Sequence, residues 1–248
     1  MIRNKKDRER QFIDEIAKLC STFPQCEITD FESPDFLIYQ DSQIIGIEVV
    51  NYVRGQNQKG SPERRNEISW QKIADAARRN FEANHNDPLL IHFLWNHNHP
   101  LCQAEIIKFS QEVPNIIETH IPRRVFENIR INQDELEGTL LEGICHSISV
   151  MRVRNPQQTL WSFVDSGFIE IKTNELQNLI DLKNDKIQKY LKHCKTVWLI
   201  IVADGQYISS NIDLSISTKN NIYSSMFEKI FVYDRINHYV YNLQTKRV

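Results

Sequence analysis

Asp35 and Glu48 lie in the stretch ESPDFLIYQDSQIIGIEVVNY, residues 32–52, among mostly apolar and β-branched neighbours. Strand interiors seldom carry carboxylates unless a cation pairs with them or they bind something. The runs DFLIYQD and QIIGIEVVNYV, joined by a short polar turn, read as antiparallel strands, and that pairing sets Asp35 and Glu48 side by side. Two adjacent carboxylates suit Mg²⁺ or Mn²⁺. Mg²⁺ takes oxygen ligands, keeps several waters and is usually held by one or two carboxylates plus phosphate oxygens. The chemistry this suggests is phosphodiester hydrolysis, in which an ion activates water and stabilises charge on the phosphate, and a lysine assists. Asp35, following Pro34, also suits a turn before its strand. Glu48, amid Ile47, Val49 and Val50, must face something polar.

The elements that must position this pair follow from apolar spacing. Phe12, Ile13, Ile16, Ala17, Leu19 and Cys20 recur at helical period and predict an amphipathic helix over 5–22. CEITDF precedes the two strong strands as a shorter one, giving a three-stranded meander. After a polar loop over 54–66, EISWQKIADAARRNFEAN reads as a helix and PLLIHFLW as a strand covered on both faces. Residues 96–172 read as an insertion, with LCQAEIIKFSQEVPNII helical and GICHSISVMRVRN and LWSFVDSGFIEIK alternating like a long hairpin. A second long helix over 173–194 runs into VWLIIVA, and KIFVYDRINHYVYNL forms a C-terminal β-hairpin at a sheet edge. The expected whole is a single α/β domain over 1–248.

Composition narrows the function classes. The 248 residues are 41% hydrophobic and 25% charged, ordinary for a globular chain with a substantial core. Thirty basic against thirty-two acidic residues exclude a strong overall pull on nucleic acid, though not a local basic surface. The five cysteines are odd in number, scattered and without a CxxC pair, which points to reduced thiols. With a polar start and no apolar run long enough to span a bilayer, a cytoplasmic protein with no membrane partner is expected.

SPDF followed by IEV resembles the signature of the PD-(D/E)XK nuclease superfamily, the restriction-endonuclease-like fold, whose core runs helix, three-stranded meander, helix, strand. Residues 5–95 spell that order. The resemblance implies a metal-dependent nuclease acting on DNA. Asp35 and Glu48 would be metal ligands, the Val49 carbonyl a backbone ligand, and Glu15 of the first helix an accessory acid. Where the signature has its lysine, this chain has Val50. Members of the superfamily relocate that lysine to a neighbouring helix. Lys186, at i, i+4 from Tyr190 in KNDKIQKYLKHCKTVWLII, is the first choice, and Lys72 beside Gln71 the second. A catalytically inactive module binding nucleic acid or protein is the alternative that the missing lysine keeps open.

Arg64, Arg65, Arg78 and Arg79 are the expected phosphate contacts, since two lie in the loop after the Glu48 strand and two on the following helix. His97, His99 and Cys102 cluster in WNHNHPLC, but no second pair of finger-like spacing closes a zinc site, so a polar loop is the reading. Cutting both DNA strands takes two sites, so a homodimer formed through the insertion is a further expectation.

Overall fold

The computed structural model describes residues 4–40, 42–56, 60–96, 99–163 and 171–247. Helix α1 (Lys5–Leu19) leads into strands β1 (Ile28–Asp30), β2 (Phe36–Gln40) and β3 (Gln43–Asn51). Helix α2 (Pro62–Glu82), strand β4 (Leu89–Trp95) and helix α3 (Gln103–Glu118) come next, then strands β5 (Asn128–Asn132), β6 (Cys145–Arg152) and β7 (Leu160–Phe163). Helices α4 (Thr173–Asn184) and α5 (Ile187–Tyr190) precede β8 (Thr196–Ala203), followed by α6 (Ile216–Asn220), β9 (Ile222–Ser225), β10 (Lys229–Asp234) and β11 (Tyr239–Arg247). The protein is mixed α/β with two mixed sheets. It divides into two compact units, Met1–Ser61 with Phe168–Val248, and Pro62–Gly167.

The first unit is built on a seven-stranded sheet ordered β1-β2-β3-β8-β10-β11-β9. Its central strand, β8, lies parallel to both β3 and β10, and its residues from Val197 to Ala203 are all buried. Such a strand is apolar throughout because helices cover both faces of the sheet. On one face Phe12, Ile13 and Ile16 of α1 pack with Ile47, Val49 and Ile200. On the other, Leu176 and Ile180 of α4 and Ile187 of α5 pack with Leu199 and Ile201. Each such aliphatic side chain contributes about 1.5–3 kcal/mol on burial, which is what fixes the two helical layers.

The second unit has a four-stranded sheet, β5-β6-β4-β7. Strand β4 runs antiparallel to β6 and parallel to β7. Trp70 of α2 stacks on Trp95 at 4.3 Å within the core that α2 and α3 form with this sheet.

Several expectations differ from this arrangement. Helix α2 and strand β4 stand with Pro62–Gly167 rather than with the meander, so the segment carrying its own sheet is 62–167, not 96–172, and the chain makes two units rather than one domain. The neighbour of β3 is β8. PLLIHFLW and VWLIIVA are both continuous apolar runs, and apolarity alone does not say which of them β3 will pair with. Strands β6 and β7 form no hairpin, because β4 lies between them; residues 164–170 of LWSFVDSGFIEIK are outside the described residues. The β10–β11 hairpin sits beside β8, and β9 pairs outside it with β11. All five cysteines are free thiols, and among the described residues no helix is long and apolar enough to cross a membrane.

Candidate active site

The β2–β3 register pairs Phe36 with Ile47, so Asp35 lies opposite Glu48, one step past the end of the β2 ladder. Alternation along the strands decides which face the two acids share. Phe36, Ile47 and Val49 pack with α1, whereas Leu37 packs with α4 and α5, so Asp35 and Glu48 face α4 and α5. The approach of the chain before β2 depends on Gly46. A Cβ there would come within 2.6 Å of Pro34 Cγ and 2.8 Å of Cys194 Sγ, so only glycine lets the residue preceding Asp35 close onto β3.

The Asp35 carboxylate takes over a ladder position. The Ile44 carbonyl bonds Lys195 beside β8, so alternation turns the N–H and C=O of Val49 toward β2. The Val49 N–H donates to Asp35 Oδ2 at 2.8 Å. The Val49 carbonyl faces Pro34, which has no N–H to give. The two carboxylates therefore lie side by side at the end of β2, and strand alternation turns the Val49 carbonyl toward the same edge.

Cations of the chain itself compensate this charge. Lys183 of α4 donates from Nζ to Glu48 Oε1 at 2.7 Å, with side chains only 17% and 8% exposed. The Tyr190 hydroxyl lies near enough to Glu48 to feel its charge. Lys6 of α1 reaches the carbonyls of Phe31 and Asp35 at 2.7 and 2.8 Å and lies 3.9 Å from Asp35 Oδ1. Glu9 is a buried acid whose charge Asp35 also feels, and it pairs with Lys5 at 3.2 Å. Burial and the neighbouring Glu48 charge push the Asp35 carboxyl up to about 6, against the Val49 N–H bond and the Lys6 charge that lower it. Burial, with the neighbouring Glu48 carboxylate, pushes the Tyr190 hydroxyl far above its ordinary value, so it keeps its proton at any ordinary pH.

Among the described residues no three carboxylate, imidazole or thiol side chains are grouped to hold a metal by themselves. The donor set still fits a Mg²⁺-type ion, which needs only one or two protein carboxylates and completes its shell with water and substrate oxygens. The raised Asp35 carboxyl is in keeping with an acid pair that lacks sufficient positive charge.

The other sequence candidates lie elsewhere. Lys186 is exposed at the junction between α4 and α5 and is not the amine at Glu48. Its N–H bonds the Lys183 carbonyl in a tight i, i+3 turn, and helical spacing sets it beside rather than on the stripe Leu176–Ile180–Lys183–Ile187–Tyr190. That stripe steps by four and three residues, so Lys183 occupies a core position of the helix, a signal present in the sequence. Glu15 bonds Tyr233 at 2.9 Å and Arg235 at 3.2 Å. Burial alone would push its carboxyl up, but the bonds from Gln11, Arg235 and Tyr233 hold it below the usual range. The acid of α1 whose charge reaches Asp35 is Glu9, on the buried stripe with Phe12, Ile13 and Ile16.

Arg64, Arg65, Arg78 and Arg79 all stand on α2 in the second unit, together with Gln71 and Lys72. Arg64 lies 3.6 Å from Glu67, and Arg78 lies 3.5 Å from Glu82. Gln71 binds Asp75 and the Trp161 carbonyl. His99 lies 3.3 Å from Glu105, and His97 is outside the described residues. Comparison with known proteins found no matching family model, no similar curated protein and no similar solved structure.

Proposed function

We propose that the first unit is a metal-dependent nuclease that hydrolyses phosphodiester bonds in DNA, using Mg²⁺ or Mn²⁺. The observation that carries this reading is Lys183 on Glu48 beside Asp35. The amine that Val50 cannot supply comes from a different element to the same carboxylate pair. The resemblance to the PD-(D/E)XK superfamily gains support from order as well. With Pro62–Gly167 set aside, α1, the β1–β3 meander, α4 with α5, and β8 run helix, meander, helix, strand, with β8 parallel to β3.

Asp35, Glu48 and the Val49 carbonyl would hold the ion, which when bound supplies Lewis acidity toward water and a phosphate oxygen. The residues of the chain do the rest. Lys183 is held at the acid pair by Glu48, where its ammonium would meet an anionic oxygen of a bound phosphate. Tyr190 adds a protonated hydroxyl near Glu48. Lys5 and Lys6 place two further positive charges near the acids, where they favour an approaching phosphate. Glu9 holds Lys5 in place.

Calorimetric titration of Mn²⁺ at pH 7.5, alongside Mg²⁺-dependent nicking of plasmid DNA, tests the reading. Wild type is expected to bind and cleave, and Asp35→Ala and Glu48→Ala each to lose both. Cation binding that survives both substitutions, or that wild type lacks, overturns the nuclease and leaves a binding module of the same fold.

A further inference from the structure

The second unit carries a turn that displays an aromatic ring where the chain would normally avoid one. Arg124–Glu127 form a β-turn, closed by the Glu127 N–H on the Arg124 carbonyl at 3.1 Å and by the Arg124 N–H on Glu127 Oε2 at 2.8 Å. Phe126, at its third position, has φ +65°, the left-handed region where glycine is the usual residue. The two tip side chains, Val125 and Phe126, are 44% and 62% exposed. Evolution of a stable turn gives no reason to place a large apolar ring there.

The turn is braced from behind. Arg152 accepts from the Phe126 N–H through its carbonyl at 2.8 Å, and its N–H donates to the Glu127 carbonyl at 3.2 Å. Its guanidinium donates to the Pro122 carbonyl at 2.5 Å and to Asp87 at 2.6 Å. The Arg154 guanidinium lies 5.9 Å from the Phe126 ring centre, leaving the ring mostly open to solvent. Arg123, Arg124 and Arg154 are exposed, and among the described residues none of the three is paired with a carboxylate. Of the acids beside the turn, Glu127 caps it and Asp87 holds Arg152.

We infer that Phe126, with Arg123, Arg124 and Arg154, forms a binding site for single-stranded nucleic acid, the ring stacking on a base and the guanidiniums taking flanking phosphates. A fixed aromatic face beside unpaired cations is the combination that binds single strands without reading sequence. The choice of nucleic acid among anionic partners rests on the phosphodiester reading above, but the site itself lies on other residues.

The test is fluorescence anisotropy of a labelled oligothymidylate with the full chain in EDTA, across about 50–200 mM salt. Phe126→Gly keeps the positive φ without strain, so folding is preserved, and binding is expected to weaken roughly 5- to 100-fold. Phe126→Tyr, which keeps a stacking face, should remain within about threefold of wild type. Arg154→Ala should reduce the slope of log affinity against log salt by roughly 0.7. Unchanged binding by Phe126→Gly overturns the site, as does wild-type binding to phosphatidylserine vesicles without binding to the oligonucleotide. Loss of binding in Phe126→Gly, with no metal-dependent cleavage by wild type, sinks the nuclease and leaves this site standing. Cleavage that needs Asp35 and Glu48, with binding indifferent to Phe126, does the reverse.

Discussion

The two sheets treat polar side chains differently. In the four-stranded sheet, β4 alternates between buried and half-buried positions, and the half-buried row carries His92 and Ser149, paired in register, with Ser162 beside them on β7. His92 bonds Ser162 at 3.0 Å, and its burial holds the imidazole below its ordinary value; the charged neighbour in this row, Arg130, stands exposed on β5 beside Ser149. In the seven-stranded sheet both faces are covered, and the polar pair inside it is charged: Asp35 opposite Glu48, compensated by lysines from α1 and α4. A half-covered face satisfies polar atoms cheaply, since water and hydroxyls are near. A doubly covered face does not, and carboxylates kept there hold ammonium groups in place at a cost that ordinary packing would avoid.

That contrast is tested most severely by removing the cation. Lys183→Ala leaves Glu48 buried without its ion pair, and a loss on the order of 3 kcal/mol is expected by urea denaturation, with nicking activity down roughly 10²- to 10³-fold. The double variant Lys183→Met, Glu48→Gln removes both charges and should recover most of that stability while remaining inactive. If the double variant is as unstable as the single one, the pair is not the reason Lys183 is there.

Asp35→Asn should act in the opposite direction. The folded state raises the Asp35 carboxyl to about 6 from its ordinary 3.8, so folding favours its proton. Its contribution is fully present below about pH 4 and is lost as pH rises through 6. At pH 7.5 the ionised acid is a liability, and Asp35→Asn, which can still accept from the Val49 N–H, should gain on the order of 2 kcal/mol. The gain should vanish in melts at pH 4. Mn²⁺ bound at the proposed site would supply the missing positive charge in wild type alone, so its stabilising effect should grow between pH 5 and 7.5 and be absent from Asp35→Asn. A smaller effect belongs to Gly46→Ala, where the new methyl meets Pro34 and Cys194; overpacking of about 1–3 kcal/mol is expected in denaturation, with weaker Mn²⁺ binding as Pro34 carries Asp35 away from Val49.

Much of the first unit is readable in sequence because its signals are local. The meander shows as alternating and apolar runs with a polar turn, and the Asp35–Glu48 pairing follows from it. What sequence does not show is which distant strand completes the sheet, since β4 and β8 are equally apolar and only long-range packing assigns one to β3. The same limit hides Glu9, Lys5 and Lys6. Nothing in the α1 sequence says that its first turns, rather than the turn holding Glu15, meet the start of β2. Lys183 is the exception, because a lysine inside a four-three apolar stripe is visible in the residue pattern alone.

Lys186 gives the smallest and most discriminating expectation. It shares a helical stretch, a charge and a spacing from Tyr190 with the signature that suggests it, yet it stands exposed beside the buried stripe. An exposed lysine without a buried partner contributes little, so Lys186→Ala should change stability by less than about 0.5 kcal/mol. Plasmid nicking by this variant should stay within about twofold of wild type, a difference too small to reflect a lost transition-state contact. If Lys186→Ala abolishes cleavage while Lys183→Ala retains it, then α4 and α5 must rearrange when DNA binds. The Lys183–Glu48 bridge would in that case hold the resting enzyme closed and take no part in hydrolysis.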